Sequence, residues 1–243
     1  MFTVQPRRFV IPAVMAGLAV VLVAPAFAQT SNTTINNAKQ TQSGGLANKQ
    51  EANIGNATGG SSSTVNLGAL RQQQNGGLGN RQSVNVGNTA NGAQSNVTVG
   101  SISQTQSGLG NKQEVDIGNA SGSSQTQVNV GSVKQNQSGL GNKSEVDIGN
   151  TSGNARANVS VGSVSQGQSG LGNKQKVAIG NASGSGRSDV TVGNVKQSQS
   201  GLGTKQTVEI GNASSGSTTV KVGNITQNTG GLGSNDKVRI GNR

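Results

Sequence analysis

The sequence contains no cysteine, histidine, tryptophan or tyrosine, and its 243 residues include only three phenylalanines and three prolines. Without cysteine the chain can form no disulfide, so its stability has to come from backbone pairing and stacking. Without histidine, and with almost no aromatic residues, it lacks the side chains that most general acid–base sites require. So little large apolar material also argues against a thick core packed from many bulky side chains.

Charge is sparse and of unequal sign. Only 11% of the residues are charged, yet 19 are basic and 8 are acidic, which gives a formal net charge of +11. Such an excess would attract nucleic acid, lipopolysaccharide or acidic polysaccharide, and it would equally serve solubility.

The first 28 residues have the pattern of a secretory signal peptide. A basic start, MFTVQPRRF, precedes the apolar run VIPAVMAGLAVVLVAP, and Ala26-Phe27-Ala28 forms an A-x-A cleavage site. The alternative is an uncleaved membrane anchor. Cleavage would leave a chain starting at Gln29 with a net charge of +9 (17 minus 8) and no second apolar run long enough to span a bilayer. We therefore expect a secreted, extracellular protein.

Beyond this leader the sequence repeats itself. A leucine within a glycine-rich turn recurs every 30 to 32 residues, at Leu46, Leu78, Leu109, Leu140, Leu171, Leu202 and Leu232. So regular a period predicts a stacked array in which each copy is one structural unit.

Within one copy the apolar residues alternate with polar ones, as in Gln113, Val115, Ile117 and again in Val128, Val130. Alternation with a period of two predicts strands, and the breaks at GLGN, GNASGSS and GS predict turns. Each copy then has about three short strands, VxQxQ, KQxVxI and xVxVG. The predicted fold is all-β: a β-solenoid of about seven 31-residue repeats stacked in register over residues 39–243, after a polar segment at 29–38.

Stacking would convert repeat positions into columns, and two of these columns are glutamines with the parity of the core residues. Buried amides are costly when unpaired, but stacked amides can bond to one another in a ladder. The first column consists of Gln40, Gln72, Gln104, Gln135, Gln166, Gln197 and Gln227. The second consists of Gln42, Gln74, Gln106, Gln137, Gln168 and Gln199, and continues to Thr229.

A column of asparagines follows glycine at the next corner, at Asn56, Asn88, Asn119, Asn150, Asn181, Asn212 and Asn242. Here the sequence favours a turn role over a ladder, because asparagine tolerates left-handed backbone.

A basic stripe is predicted along one corner. It consists of Lys49, Arg81, Lys112, Lys143, Lys174 and Lys205. Its cations would either hinder lateral aggregation or bind an anionic polysaccharide or extracellular DNA at several points.

The turn motif resembles that of a known family. The pattern Q-x-G-x-x-N occurs in three consecutive copies, whose turn residues are Gly108 and Asn111, Gly139 and Asn142, and Gly170 and Asn173. It resembles the curlin repeat of curli, the secreted amyloid of bacterial biofilms. The resemblance implies a subunit exported through an outer-membrane secretion pore, nucleated at the cell surface and polymerised into adhesive fibres. The repeat is longer than the two-strand curlin unit, and Thr204 replaces the turn asparagine in the sixth copy.

Other functions fit the sequence less well. The acidic pairs Glu114/Asp116 and Glu145/Asp147 have outward parity and no histidine beside them, so we predict no catalytic activity. The calcium-binding G-G-x-G-x-D repeat is missing, and the outward threonines are too scattered for an ice-binding face. We therefore predict no metal and no cofactor. The main alternative to a fibre subunit is a monomeric β-solenoid surface adhesin that binds anionic matrix polymers.

The two ends of the repeat region favour self-assembly. The last segment, DKVRIGNR, keeps Val238 and Ile240 at core positions, and the first, QTSNTTINNA, is wholly polar apart from Ile35 and Ala38. Neither resembles a capping element, and an uncapped rung exposes a row of unpaired backbone groups. We therefore expect a homopolymer.

Overall fold

The computed structural model describes residues 30–243, so the predicted signal peptide at 1–28 lies outside the described residues. The described chain is an all-β solenoid of seven rungs, with no helix. Consequently no helix of these residues has the length and hydropathy needed to cross a membrane.

Each of the first six rungs begins with one long strand, and in the seventh this strand is split in two. The long strands are β1 (Thr30–Ser43), β4 (Ser62–Asn75), β7 (Gln94–Ser107), β10 (Gln125–Gln137), β12 (Arg156–Gln168) and β14 (Arg187–Gln199), followed by β16 (Ser217–Lys221) and β17 (Asn224–Thr229). All of them pair in parallel with the equivalent strand of the neighbouring rung.

A short strand completes each rung after the glycine-rich turn. These strands are β2 (Lys49–Ile54), β5 (Arg81–Val86), β8 (Lys112–Ile117), β11 (Lys143–Ile148), β13 (Lys174–Ile179), β15 (Lys205–Ile210) and β18 (Asn235–Ile240). They form a second parallel sheet opposite the first. At the following corner the first three rungs add the two-residue strands β3 (Ala57–Thr58), β6 (Thr89–Ala90) and β9 (Ala120–Ser121), and single bridges continue this column.

The register of the stack follows the repeat. Equivalent positions pair throughout, for example Val128 with Val97 and Val159, and Ile148 with Ile117 and Ile179. Each rung therefore places its apolar side chains directly on those of its neighbours, at the strand spacing of about 4.8 Å. The predicted solenoid of seven in-register repeats is confirmed.

Two expectations about strand boundaries need correction. In the first six rungs the predicted strands xVxVG and VxQxQ are one continuous strand, because the strand passes through the glycine between them and resumes its pairing beyond it. At Gly100 an added Cβ would lie 2.5 Å from the carbonyl oxygen of Gly131, so the backbones approach one another here more closely than a side chain would permit. The repeat domain also starts earlier than residue 39, since residues 30–38 belong to β1 and pair with β4.

Five columns of valine, isoleucine and leucine form the apolar core, three from the long strands and two from the short ones. In the central rungs these side chains are almost completely inaccessible to solvent. The core is one side chain thick on each sheet, so backbone ladders carry much of the cohesion.

Candidate functional site

The interior of each rung has an apolar half and an amide half. In the third rung the long strand first buries Val97, Val99 and Ile102 and then, nearer the leucine turn, Gln104 and Gln106. The short strand leaves the same turn with a buried glutamine at position 113, followed by buried valine and isoleucine. The amides of both strands therefore face one another beside the turn, and the apolar residues fill the other end.

The first predicted glutamine column is a continuous ladder of side-chain hydrogen bonds. Every Nε2 donates to the Oε1 of the following rung, beginning with Gln40 to Gln72. The other five bonds of this ladder join successive glutamines from Gln72 to Gln227. Their Nε2–Oε1 distances are, in chain order, 2.8, 2.9, 2.9, 2.9 and 2.8 Å. Most of these Nε2 groups also donate to a backbone carbonyl of the short strand, so the ladder joins the two sheets.

The second column is a ladder only in its middle. Its bonds run from Gln74 through Gln106, Gln137 and Gln168 to Gln199, with distances of 2.6 to 3.3 Å. Gln42 is exposed, and the Oε1 of Gln74 is buried without a partner among the described residues. At the other end the ladder stops at Gln199, whose Nε2 is unpaired. The hydroxyl of Thr229, one rung further on, is instead bonded to Gln206 and Asp236.

A third glutamine column, on the short strands, was not predicted as a ladder. Gln50 donates to Gln82 and Gln82 to Gln113, both at 3.0 Å, and Gln175 donates to Gln206 at 2.9 Å. Ser144 interrupts this ladder, since it bonds sideways to the first column, accepting from Gln135 and donating to Gln166. The signal that could have revealed the column is the alternation itself, which gives Gln113 the inward parity of Val115 and Ile117.

The turn residues of the Q-x-G-x-x-N motif hold consecutive turns together. Asn111, Asn142 and Asn173 are buried, and the Oδ1 of each accepts the backbone N–H of the equivalent residue in the next rung at 2.9 Å. Each Nδ2 donates to a carbonyl at the start of its own turn and to the next rung's glycine. Thr204 preserves the contact, because its hydroxyl and its N–H both reach Asn173.

The asparagine column at the opposite corner differs from the expectation. These residues do form a ladder, for example from Asn88 to Asn119 at 2.9 Å and from Asn181 to Asn212 at 3.1 Å. They do not adopt the left-handed backbone that favoured a turn role. The preceding glycine takes that conformation instead, with a φ of 62° at Gly118, and frees the asparagine for the ladder.

The six residues of the basic stripe stack in register along the short-strand sheet. Three of them, Lys49, Lys112 and Lys143, form ion pairs of 2.6 to 2.7 Å with the glutamate two residues further on. The other three, Arg81, Lys174 and Lys205, have no ion pair within residues 30–243. The stripe therefore contains both neutralised and available cations.

If the stripe binds an anionic polymer, its available cations should dominate the salt dependence. We expect Arg81→Gln, Lys174→Gln and Lys205→Gln together to weaken DNA binding and to reduce the slope of log K against log salt by about 2 to 3, because about one counterion is released per phosphate contact. The matched control, Arg71→Gln, Lys134→Gln and Lys196→Gln, removes equal charge from exposed positions on the other sheet. Equal slopes for the two triple variants, measured by fluorescence anisotropy, would rule out the stripe as the binding surface.

Four carboxylates are stacked in two adjacent rungs of the same sheet. Glu114 lies beside Glu145, and Asp116 beside Asp147. In the next rung Lys176 contacts Glu145 at 2.6 Å and Asp147 at 2.8 Å. Burial, together with the charge of Glu145 and despite Lys176, raises the pKa of Asp147 to about 6. For Glu145 burial acts in the same direction, but the hydrogen bonds from Lys143 and Lys176 outweigh it and lower its pKa.

This cluster should make the solenoid more stable in mild acid. The folded pKa of Asp147 lies above its unfolded value of 3.8, so protonation favours the folded state as pH falls through about 6. The lowered pKa of Glu145 has the opposite effect on stability, but this effect becomes large only below the ordinary glutamate pKa of 4.5. We expect the free energy of unfolding to rise by about 1 kcal/mol between pH 7.5 and 5.

The variant Asp147→Asn should lose most of that rise, and Asp189→Asn, a control on the outer face of the long-strand sheet, should retain it. Urea denaturation at the two pH values provides the measurement. A pH-dependent rise unchanged in Asp147→Asn would show that another group is responsible.

No protein-family model, curated protein or solved structure matches this chain. The resemblance to the curlin repeat therefore rests on the turn motif and its flanking strands. Function has to be argued from the solenoid and its ladders.

Proposed function

We propose that this protein is a secreted structural subunit that polymerises end to end into fibres at the cell surface, in the manner of curli, for adhesion and biofilm matrix. The observation that carries the proposal is the direction of the first glutamine ladder. All of its amides donate toward the following rung, so its two ends are complementary.

At the first rung the Oε1 of Gln40 is buried and accepts no hydrogen bond from any described residue. At the seventh rung Gln227 accepts from Gln197 at 2.8 Å, and its Nε2 finds no acceptor among residues 30–243. A second copy stacked head to tail would let this Nε2 donate to Gln40. The ladder would then continue between subunits with the geometry that it has within one.

The strands of the two end rungs support the same arrangement. β1 and β2 pair only with the second rung, and β16, β17 and β18 only with the sixth, within the part of the chain that the structure describes. The core side chains of the last rung, Val238 and Ile240, are only partly buried, whereas Val208 and Ile210 above them are fully buried. Stacking would bury this apolar surface and pair the open backbone groups.

The resemblance to curlin adds an outer-membrane secretion pore and a nucleator as partners of the proposed export and assembly. The predicted signal peptide at residues 1–28 would begin that route.

The proposal predicts polymerisation of residues 29–243 after a lag that preformed fibres remove. Because new subunits would add to a complementary end rung, seeded growth should begin at once and give cross-β reflections near 4.8 Å. Thioflavin fluorescence and fibre diffraction measure these properties. A chain that stays monomeric by light scattering with seeds present, while β-structured by circular dichroism, would contradict the fibre subunit and favour the monomeric adhesin with its anionic ligand.

A further inference from the structure

A row of exposed leucines runs the length of the solenoid at the glycine-rich turns. These residues, here called the leucine ridge, are Leu46, Leu78, Leu109, Leu140, Leu171, Leu202 and Leu232. Their exposed fractions are 41 to 49% in the five inner rungs and 72 and 77% at the two ends. Apart from Ile35, they are the only exposed large apolar residues in the described chain. A single exposed leucine is unremarkable in a protein surface, but a continuous apolar row is typical of an interaction site.

The backbone holds the ridge rigidly at the rung spacing. Leu140 donates its N–H to Gly170 at 3.0 Å, and the carbonyl of Leu109 accepts from Gly141 at 2.9 Å. In every rung after the first a glycine follows the leucine and has open space around it, since an added Cβ at Gly110 or Gly141 would contact nothing within 4 Å. The leucines therefore lie beside glycine backbone without side chains, which another molecule can contact.

We infer that the leucine ridge packs against the leucine ridge of a second copy of this chain, with the two solenoids parallel. A partner has to present apolar groups at the same interval of about 4.8 Å to contact every leucine. The leucine ridge of a second copy does so, because its leucines have the same rung spacing. Offset by half a rung, the two rows of side chains can interdigitate.

The charges beside the ridge select the parallel orientation. The basic stripe flanks the leucines on the short-strand side, whereas the uncharged Ser107, Ser138, Ser169 and Ser200 flank them on the long-strand side. In the parallel pair the second copy is rotated by 180° about an axis that runs between the two solenoids and parallel to them. This rotation places the basic stripe of each copy opposite the serines of the other. An antiparallel arrangement would instead place the two basic stripes face to face, which is unfavourable for like charges.

The size of the ridge links this pairing to polymerisation, and in that respect the inference rests on the proposed function. One ridge offers apolar area on the order of a few hundred Å², below the ~800 Å² per partner of a stable interface. Two single chains should therefore associate weakly. In fibres the ridges of successive subunits would join, and the pairing would become multivalent.

Cysteine trapping tests the contact and its direction, because the chain has no cysteine of its own. Parallel pairing brings Leu109 opposite Leu109 of the second copy, whereas antiparallel pairing centred on Leu140 brings it opposite Leu171. We expect Leu109→Cys and Leu171→Cys, mixed with different tags and oxidised, to give same-position disulfides at least tenfold faster than an Asn129→Cys control on the outer face of β10. Trapping at the control rate, or a predominance of 109–171 disulfides, would overturn the inference.

The trap reports on ridge contacts whether or not fibres form, because end-to-end stacking keeps equivalent leucines about seven rungs apart. A failure to polymerise would show in thioflavin fluorescence and leave the disulfide result readable. In fibres, Leu109→Gln, Leu140→Gln and Leu171→Gln together should halve the mass per length. The control, Asn96→Ser, Gln127→Ser and Asn158→Ser, should not change it. A wild-type mass per length equal to that of one stack would contradict lateral pairing.

Leucines beside lysines would also suit an anionic lipid surface. Vesicles of phosphatidylcholine with phosphatidylglycerol provide the comparison. If the triple leucine variant loses vesicle binding while the Leu109→Cys and Leu171→Cys disulfides form only at the control rate, the occupant is a lipid surface and the inference is wrong.

Discussion

Replacement of Gly139 by alanine is expected to disrupt the central rungs and prevent assembly, whereas alanine at Gly141 in the same turn should be tolerated. Gly139 has a φ of 100°, and an added Cβ would lie 2.1 Å from the carbonyl oxygen of Gly170 in the next rung. Gly141 also has a positive φ, 64°, but its Cβ would meet nothing within 4 Å. Both substitutions therefore strain the backbone, and only Gly139→Ala adds a clash with the next rung.

The strain alone costs roughly 1 to 2 kcal/mol, which is the expected effect of Gly141→Ala. The clash at Gly139 is with backbone, so relief requires two stacked rungs to separate, and we expect a total loss above about 4 kcal/mol. The first rung provides an internal precedent for the control, because Ala47 occupies the position of Gly141 with a φ of 56°. Urea denaturation followed by circular dichroism measures both variants. Equal losses would show that the close approach of the turns is not limiting.

Gln104→Leu should destabilise the solenoid although it adds apolar surface to a buried position. It removes the acceptor of Gln72 and the donor to Gln135, whose Oε1 has no other donor among the described residues. A buried polar group left unpaired costs about 1 to 3 kcal/mol, so we expect a loss of about 2 to 4 kcal/mol and slower assembly.

Gln135→Leu should lower the free energy of unfolding by about 1 kcal/mol less than Gln104→Leu does, because Ser144 still donates to the Oε1 of Gln166 at 2.7 Å. The matched control is Asn136→Leu, which adds the same side chain on the exposed face of the same strand. Its stability should change little. An increase in stability in Gln104→Leu would show that the amide ladder contributes nothing to the fold. The reverse order of the two glutamine variants would show that Ser144 does not compensate for the loss of Gln135.

These two predictions concern different means of fixing the register. The glycine position excludes side chains where turns stack, and the glutamines penalise any slip that would separate their amides. A shift of one residue would turn every inward glutamine outward, because side chains alternate along a strand. The apolar columns alone, made of similar valines and isoleucines, specify the register less strictly.

Much of this arrangement was predictable from the sequence. The 31-residue period fixes which residues are neighbours in the stack, and the alternation of Ile102, Gln104 and Gln106 fixes which side of the strand they occupy. Together they predicted the solenoid and placed the first glutamine column in the interior. The same alternation applied to Gln113, but the replacement by Ser144 in the next copy hid the third column.

What the sequence determined by itself is the repeat, the strand parity and the in-register stacking, since these depend only on positions along the chain. The tertiary structure alone decided how each corner bends and what meets across it: that the strand continues through Gly100, that Gly118 and not Asn119 takes the left-handed conformation, that the leucines project outward, and that half of the basic stripe is paired with glutamates. The lysine–glutamate pairs join residues only two apart, but which lysines pair depends on competition among several partners. The corner features depend on contacts between rungs, whose residues lie about 31 positions apart along the chain. A one-dimensional pattern contains neither of these quantities.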